Sequence, residues 1–208
     1  FEWTVRVLGD DKHIPAGYYF FSRQENMLWV AMRLLGGDFE TDPIRVTIPE
    51  GLTVNDIAKI LLKKLPDFRA REFIERAREG YLFPDTYKFL PNVSASFVIA
   101  AMEENFNKKI SEIEPLVQIF KKPLKDVVVM ASLIEKESRT TDTRRRIAGI
   151  LWKRIRLGMP LQVDAVFPYI FEGKAYDLTD GDLQVDSPYN TYRYKGLPLG
   201  AIANPGLD

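Results

Sequence analysis

The sequence has no cysteine and only one histidine, His13. Without cysteine there is no disulfide, no thiolate zinc site and no cysteine nucleophile. One histidine excludes a histidine-rich metal cluster. It lies in a polar, proline-flanked stretch far from the acidic residues considered below, which argues against a serine–histidine relay. Net charge is missing too: 29 Lys and Arg offset 29 Asp and Glu, so no bulk field draws the chain to nucleic acid or an anionic membrane surface. The run Arg144-Arg145-Arg146 sits among apolar residues at helical spacing and reads as a solvated helix face. No signal peptide and no run of about 18 apolar residues is found.

What is present describes an ordinary globular protein. The 208 residues are 46% hydrophobic and 28% charged, enough for one large domain or two small ones with a real core. The chain opens on Phe1 and stops at Asp208 directly after a turn-rich stretch, so it is expected to be a soluble piece of a longer protein.

The first part mixes strand and helix patterns. Glu2–Leu8 alternates as a strand, and Gly17–Phe21 is an aromatic strand candidate. Gln24–Leu35 reads as a helix with Met27, Val30, Ala31, Leu34 and Leu35 inward, ended by Gly36-Gly37. Ile44–Ile48 is a strand closed by the turn Pro49-Glu50-Gly51. Thr53 then caps a helix carrying Ile57, Ile60, Leu61 and Leu65, and a second helix spans about Ala70–Arg78. Tyr81–Tyr87 reads as a packed aromatic strand. Pro91-Asn92-Val93-Ser94 marks a boundary, giving an α+β region over 1–90 and a mainly helical region over 91–208. Helices are expected at about Ser94–Ile113, from Leu124 through Glu137, and at about Asp142–Leu157. From Met159 the sequence becomes loop-rich, with many Tyr, Asn, Asp, Gly and Pro residues.

One glutamate stands out. At roughly 100° per residue, Val127, Met130, Leu133 and Ile134 define an apolar face, and Glu137 falls near its middle. Glu135 projects away from that face. A carboxylate on a core-facing stripe must be paired or have its pKa raised by desolvation, and a raised pKa suits a general acid near neutral pH. Glu137 is thus the first candidate for chemistry; the alternative is a structural ion pair with Arg139, Arg144 or Arg145.

Gln162 and Asp164, two residues apart, are expected on one side of an extended segment. Pro188-Tyr189-Asn190-Thr191-Tyr192 adds aromatic rings, an amide and a hydroxyl. Such side chains suit sugars: rings cover C–H-rich faces, and amides and carboxylates take hydroxyl and acetamido groups. The alternative is a loop held by its own turn chemistry.

Together these residues carry a resemblance. Ala131-Ser132-Leu133-Ile134-Glu135-Lys136-Glu137-Ser138, the stretch from Ile147 to Asp164, Tyr189-Asn190-Thr191-Tyr192 and the segment Gly196–Gly206 are similar to motifs of the MltG (YceG-like) endolytic murein transglycosylases. Leu82–Tyr87 matches a further motif, and Ala16–Tyr19 with Val46–Gly51 resemble the family's LysM-like region. Two positions depart from the pattern: Ala165-Val166 follow Asp164 where the family usually has Pro-Thr, and Leu199 replaces a proline.

The resemblance implies a LysM-like βααβ region before a lysozyme-like catalytic domain whose C-terminal segment is missing after Asp208. It implies cleavage of the β-1,4 bond from N-acetylmuramic acid to N-acetylglucosamine within glycan strands, leaving a 1,6-anhydro end, with Glu137 as general acid and base. Gln162, Asp164, Tyr189, Asn190, Thr191, Tyr192 and Asn204 would line the sugar subsites, without metal or cofactor. Implied partners are peptidoglycan strands and synthases of the elongation machinery. A single N-terminal membrane helix upstream of Phe1 would hold the domain on the extracytoplasmic side. Two rival functions are a non-catalytic peptidoglycan-binding scaffold and an aminodeoxychorismate lyase. The second needs pyridoxal phosphate on a lysine and a phosphate cup, and no glycine-rich phosphate loop is present.

Overall fold

Two helices set between two short strands build the first half of the molecule. In this computed structural model, which describes Tyr19, Phe21, Gln24, 26–36, 43–171 and 178–207, the order is α1 (Met27–Gly36), β1 (Ile44–Thr47), α2 (Val54–Lys64), α3 (Ala70–Arg76) and β2 (Thr86–Phe89). Then come α4 (Ala95–Phe120), α5 (Leu124–Glu137), α6 (Thr141–Arg156), a short α7 (Val166–Ile170) and one 3₁₀ turn (Asp182–Gln184). The strand expected at Glu2–Leu8 and most of Gly17–Phe21 lie outside the described residues. The fold class is α+β, with one small sheet beside a majority of helix among the described residues.

Strands β1 and β2 pair antiparallel, Ile44 opposite Phe89 and Thr47 opposite Thr86. The Thr53 hydroxyl accepts the Asp56 N–H at 3.1 Å and donates to the Asp56 carboxylate at 2.8 Å, satisfying an orphan donor at the start of α2. Val46, Ile48, Ile57, Leu61, Leu65, Phe73 and Phe89 form the interior of this βααβ unit. The first turns of α4 join it through Ala95, Val98, Ile99 and Met102. Its interior therefore continues past Pro91 and ends within α4. The helix itself runs seven residues beyond the expected end at Ile113, with Pro115 inside it. In α1, Met27 is exposed rather than inward, while Ala31 is buried.

The second interior lies among α5, α6 and the loops after Met159, from Met130, Leu133, Ile134, Leu151, Leu161, Val163, Val166, Phe167 and Ile202. Phe106, Val128 and Ala201 make a small apolar contact between the two. Gly80 belongs to that junction. Its φ is +88°, and a Cβ there would lie 2.6 Å from the Ala201 Cβ and 2.8 Å from Val128.

Asn204 fastens the halves together. Its backbone bridges Leu52, and its buried amide accepts from Gly80 N–H (2.9 Å) and Leu82 N–H (3.0 Å) while donating to the Leu52 carbonyl (3.0 Å) and Glu79 (2.6 Å). Glu79 in turn accepts the Val54 N–H at the start of α2. Burial pushes the Glu79 carboxyl up to about 7, with the nearby Asp56 charge adding to the rise; the two donors and the Lys136 charge oppose it. The folded state thus holds a proton that an unfolded glutamate, titrating near 4.5, releases. Stability from this group is complete below the unfolded value and is lost as pH rises through about 7. The thermal midpoint is expected to fall from about pH 5 to about pH 8 more steeply in the wild type than in Glu79→Gln. Parallel slopes would mean that Glu79 ionises normally.

Candidate active site

Helix α5 is the central helix of the second interior. Val128, Val129, Met130, Ser132, Leu133 and Ile134 are all buried, which covers most of its circumference. Ser132 is tolerated there because its hydroxyl donates to the Val129 carbonyl at 2.7 Å and accepts the Ile202 N–H at 3.1 Å. Coverage ends at the last turn, where the helix is capped by the extended Ser138.

The two glutamates of that turn reverse the expected burial. Glu135 was expected to project away from the core, yet its side chain is only 8% exposed and ion-paired with Arg144, itself 10% exposed. It is enclosed by the turn at Gly51, where a Cβ would come within 3.2 Å of its Cγ, and by the Gly206 N–H, which it accepts at 3.3 Å. Arg144 also donates to the Ser138 carbonyl at 2.9 Å. Glu137 is exposed, so its placement on the core-facing stripe is corrected. Loops rather than helices cover this end of α5, and a helical wheel carries no information about loops.

Glu137 nevertheless has a particular setting. It lines an open cleft of about 620 Å³ with Glu50, Gly51 and Leu52 from the turn after β1 and Glu135, Lys136, Ser138, Arg139 and Arg144 from the end of α5 and beyond. The Ala165 backbone N–H lies close enough to its carboxylate to favour the charged form. The pKa is raised, first by partial burial and then by the Asp164 charge, with the Ala165 hydrogen bond opposing. No Lys or Arg forms an ion pair with it among the described residues. Arg144, a possible partner by sequence, is held by Glu135 instead.

The segment after α6 is shaped to bring Asp164 and Ala165 to this point. Arg154 Nη1 donates to the Leu161 carbonyl (2.7 Å) and the Gln162 side-chain carbonyl (3.2 Å), and Gln162 takes a left-handed φ of +53°. Such a conformation is uncommon for a residue with a side chain and is sustained here by the surrounding bonds. Gln162 N–H donates to the Thr191 carbonyl (3.0 Å), and Val163 N–H to the Thr191 hydroxyl (3.0 Å). Leu161 and Val163 are buried; Gln162 and Asp164 are exposed. Tyr192 donates a short hydrogen bond to Asp164, and that bond is the main cause raising the tyrosine pKa to about 12.

The other expected contact residues divide. Tyr189 is half-buried, its ring tilted against Tyr169 at 5.0 Å. Asn190, Thr191 and Asn204 are each only 1% exposed, which corrects their placement on a sugar-facing surface. Asn190 donates to the Leu183 and Val185 carbonyls at 3.0 and 2.9 Å and accepts the Tyr192 N–H at 3.0 Å. These side chains hold the loops from behind. The Ala165 N–H escaped the sequence reading because a backbone donor leaves no residue-type signal. Among the described residues no acidic cluster could hold a metal ion.

The arrangement sets a carboxyl group of raised pKa, with a backbone N–H beside it, in an open groove. A model of the YceG-like family matches residues 1–208. The endolytic murein transglycosylase of Bacillus subtilis (strain 168) is 37% identical, over the whole of this chain and 65% of the relative's length. That of Streptococcus pneumoniae serotype 2 (strain D39 / NCTC 7466) is 28% identical over 94% of this chain and 43% of the relative. The chain thus spans less than two-thirds of these curated relatives. A YceG-like protein of Listeria monocytogenes, lmo1499, solved at 2.6 Å, superposes with a TM-score of 0.71 at 28% identity, covering 98% of this chain and 76% of that one.

Proposed function

The chain belongs to the YceG-like family, and from that premise we propose that it is the catalytic part of an endolytic peptidoglycan lytic transglycosylase, with Glu137 as its general acid and base. The observation that carries this reading is Glu137 itself, without an ion-pair partner among the described residues, raised in pKa by partial burial and set beside the Ala165 N–H in an open cleft. That the Bacillus subtilis and Streptococcus pneumoniae relatives are endolytic murein transglycosylases supports the substrate class.

Ordinary glycosidases use two carboxylates, one as nucleophile or water activator. One suffices here. Protonated Glu137 donates to the glycosidic oxygen as the bond to the muramic acid C1 breaks, and the substrate's acetamido group stabilises the positive charge at C1. The resulting carboxylate takes the proton from the muramic acid 6-hydroxyl, whose oxygen closes the 1,6-anhydro ring. No water is consumed, and the intramolecular attack gains from proximity. Asp164 opposes ionisation of Glu137 and favours positive charge at C1. Gln162, Asp164 and Tyr189 face the sugars, and the βααβ unit acts as a LysM-like glycan-binding module beside them. The same reading places the site on the extracytoplasmic side of the cell membrane.

Mass spectrometry of purified glycan strands after digestion tests this directly, since an anhydro end is lighter than a hydrolysed end by one water. Hydrolysed ends would sink it, and unaltered strands would favour a binding scaffold. A second test concerns pH. A general acid is active while protonated, so the rate is expected to fall as pH rises through the raised Glu137 pKa. Removing the Asp164 charge lowers that pKa, so Asp164→Asn is expected to move the alkaline limb to lower pH. An alkaline limb unmoved by Asp164→Asn would mean that the two carboxylates do not interact.

A further inference from the structure

The cleft beside Glu137 holds charges that the cleavage reaction does not use. Of its three cationic residues, Arg144 is committed to Glu135 and the Ser138 carbonyl. Lys136 and Arg139 are exposed and form no hydrogen bond or ion pair among the described residues. They bracket Glu137 and Ser138 in sequence where α5 ends, so both open into the same cleft as the candidate acid. Lys136 also lies near enough to Glu79 to act on it electrostatically, which puts its charge toward the βααβ unit. Glu50 also lines the cleft. With Glu137 neutral, as a general acid must be before reaction, the free charges of the cleft are two cations against one carboxylate.

We propose that Lys136 and Arg139 form a subsite for an anionic group of the substrate, namely the free carboxylates of the peptide stem attached to the lactyl group of muramic acid. This rests on the transglycosylase reading and narrows it: the preferred substrate is a peptide-bearing strand rather than bare glycan. The stem branches from the same sugar whose C1 is attacked, so an anion-binding pair within the Glu137 cleft lies within a short reach of it. A lysine and an arginine suit carboxylates, one as a mobile point charge and the other as a planar fork. Glu50, in the same cleft, repels a carboxylate and biases it toward the two cations.

The test measures binding in the Glu137→Gln protein, which cannot turn the ligand over, with and without the added pair Lys136→Gln and Arg139→Gln. Three ligands are compared: strands with free stem carboxylates, the same strands with those carboxylates amidated, and strands stripped of peptide. Free carboxylates are expected to improve affinity by about five- to tenfold over both others. The preference should shrink in high salt and vanish in the charge-substituted protein. Equal affinity for the three ligands, or a preference that survives the substitutions, overturns the subsite. Anhydro product from the wild type without this preference would leave the transglycosylase reading standing alone. A preference without anhydro product would sink the reaction and leave anion recognition. Failure to bind any strand would overturn both.

Discussion

Glu137→Gln is expected to lower the cleavage rate by about 10²–10⁴-fold, the usual worth of general acid–base catalysis, while leaving the fold intact. Glutamine nearly matches glutamate in shape, but it has no proton to transfer. The side chain is exposed at the end of α5 and forms no ion pair among the described residues, so their interior does not depend on its charge. Surface changes of this kind usually alter stability by no more than about 0.5 kcal/mol. The measurement is the rate of anhydro-end formation beside the thermal midpoint. Cleavage at the wild-type rate would remove Glu137 from the mechanism, whereas a lost midpoint would make it structural.

The neighbouring glutamate is expected to behave in the opposite way. Glu135 and Arg144 are buried together, and their pair joins α5 to α6 beside the turn at Gly51 and the loop at Gly206. Removing one partner of such a pair leaves an uncompensated buried charge, at a cost of about 3–5 kcal/mol. Arg144→Met should therefore lower the urea midpoint sharply. Replacing both partners, as Glu135→Leu with Arg144→Met, should recover much of the loss, because an apolar pair of similar volume needs no desolvation of charge. Equal loss in the single and double variants would mean that the contacts to Ser138 and Gly206, rather than the ion pair, carry the effect. Two residues apart on one helix, the glutamates then separate cleanly: one variant loses rate and keeps stability, the other loses stability first.

The amino-acid sequence by itself determined the elements whose causes are local. Thr53 with Asp56 begins α2, the turn at Gly51 closes β1, and apolar spacing gives α5 from Leu124 to Glu137. Its ordered motifs also carried the family resemblance, since those are strings of residues and need no geometry. Tertiary structure alone decided what depends on residues far apart in the chain. A single-stripe reading of α5 placed Glu137 inside and Glu135 outside, because it assumed one covered face. The helix is covered on nearly all sides, and its last turn is enclosed by loops from Gly51 and Gly206 that close over Glu135 instead. Asn190, Thr191 and Asn204 read as sugar ligands because amides and hydroxyls suit sugars, yet their partners are protein groups, mostly backbone, brought to them by folding, Asn204 reaching Gly80 across 124 positions. The Ala165 N–H beside Glu137 is a backbone group in a segment shaped by the left-handed Gln162 and the Arg154 contacts. Residue types specify which chemistry is possible, and only the packing of distant segments decides which groups are left unpaired to perform it.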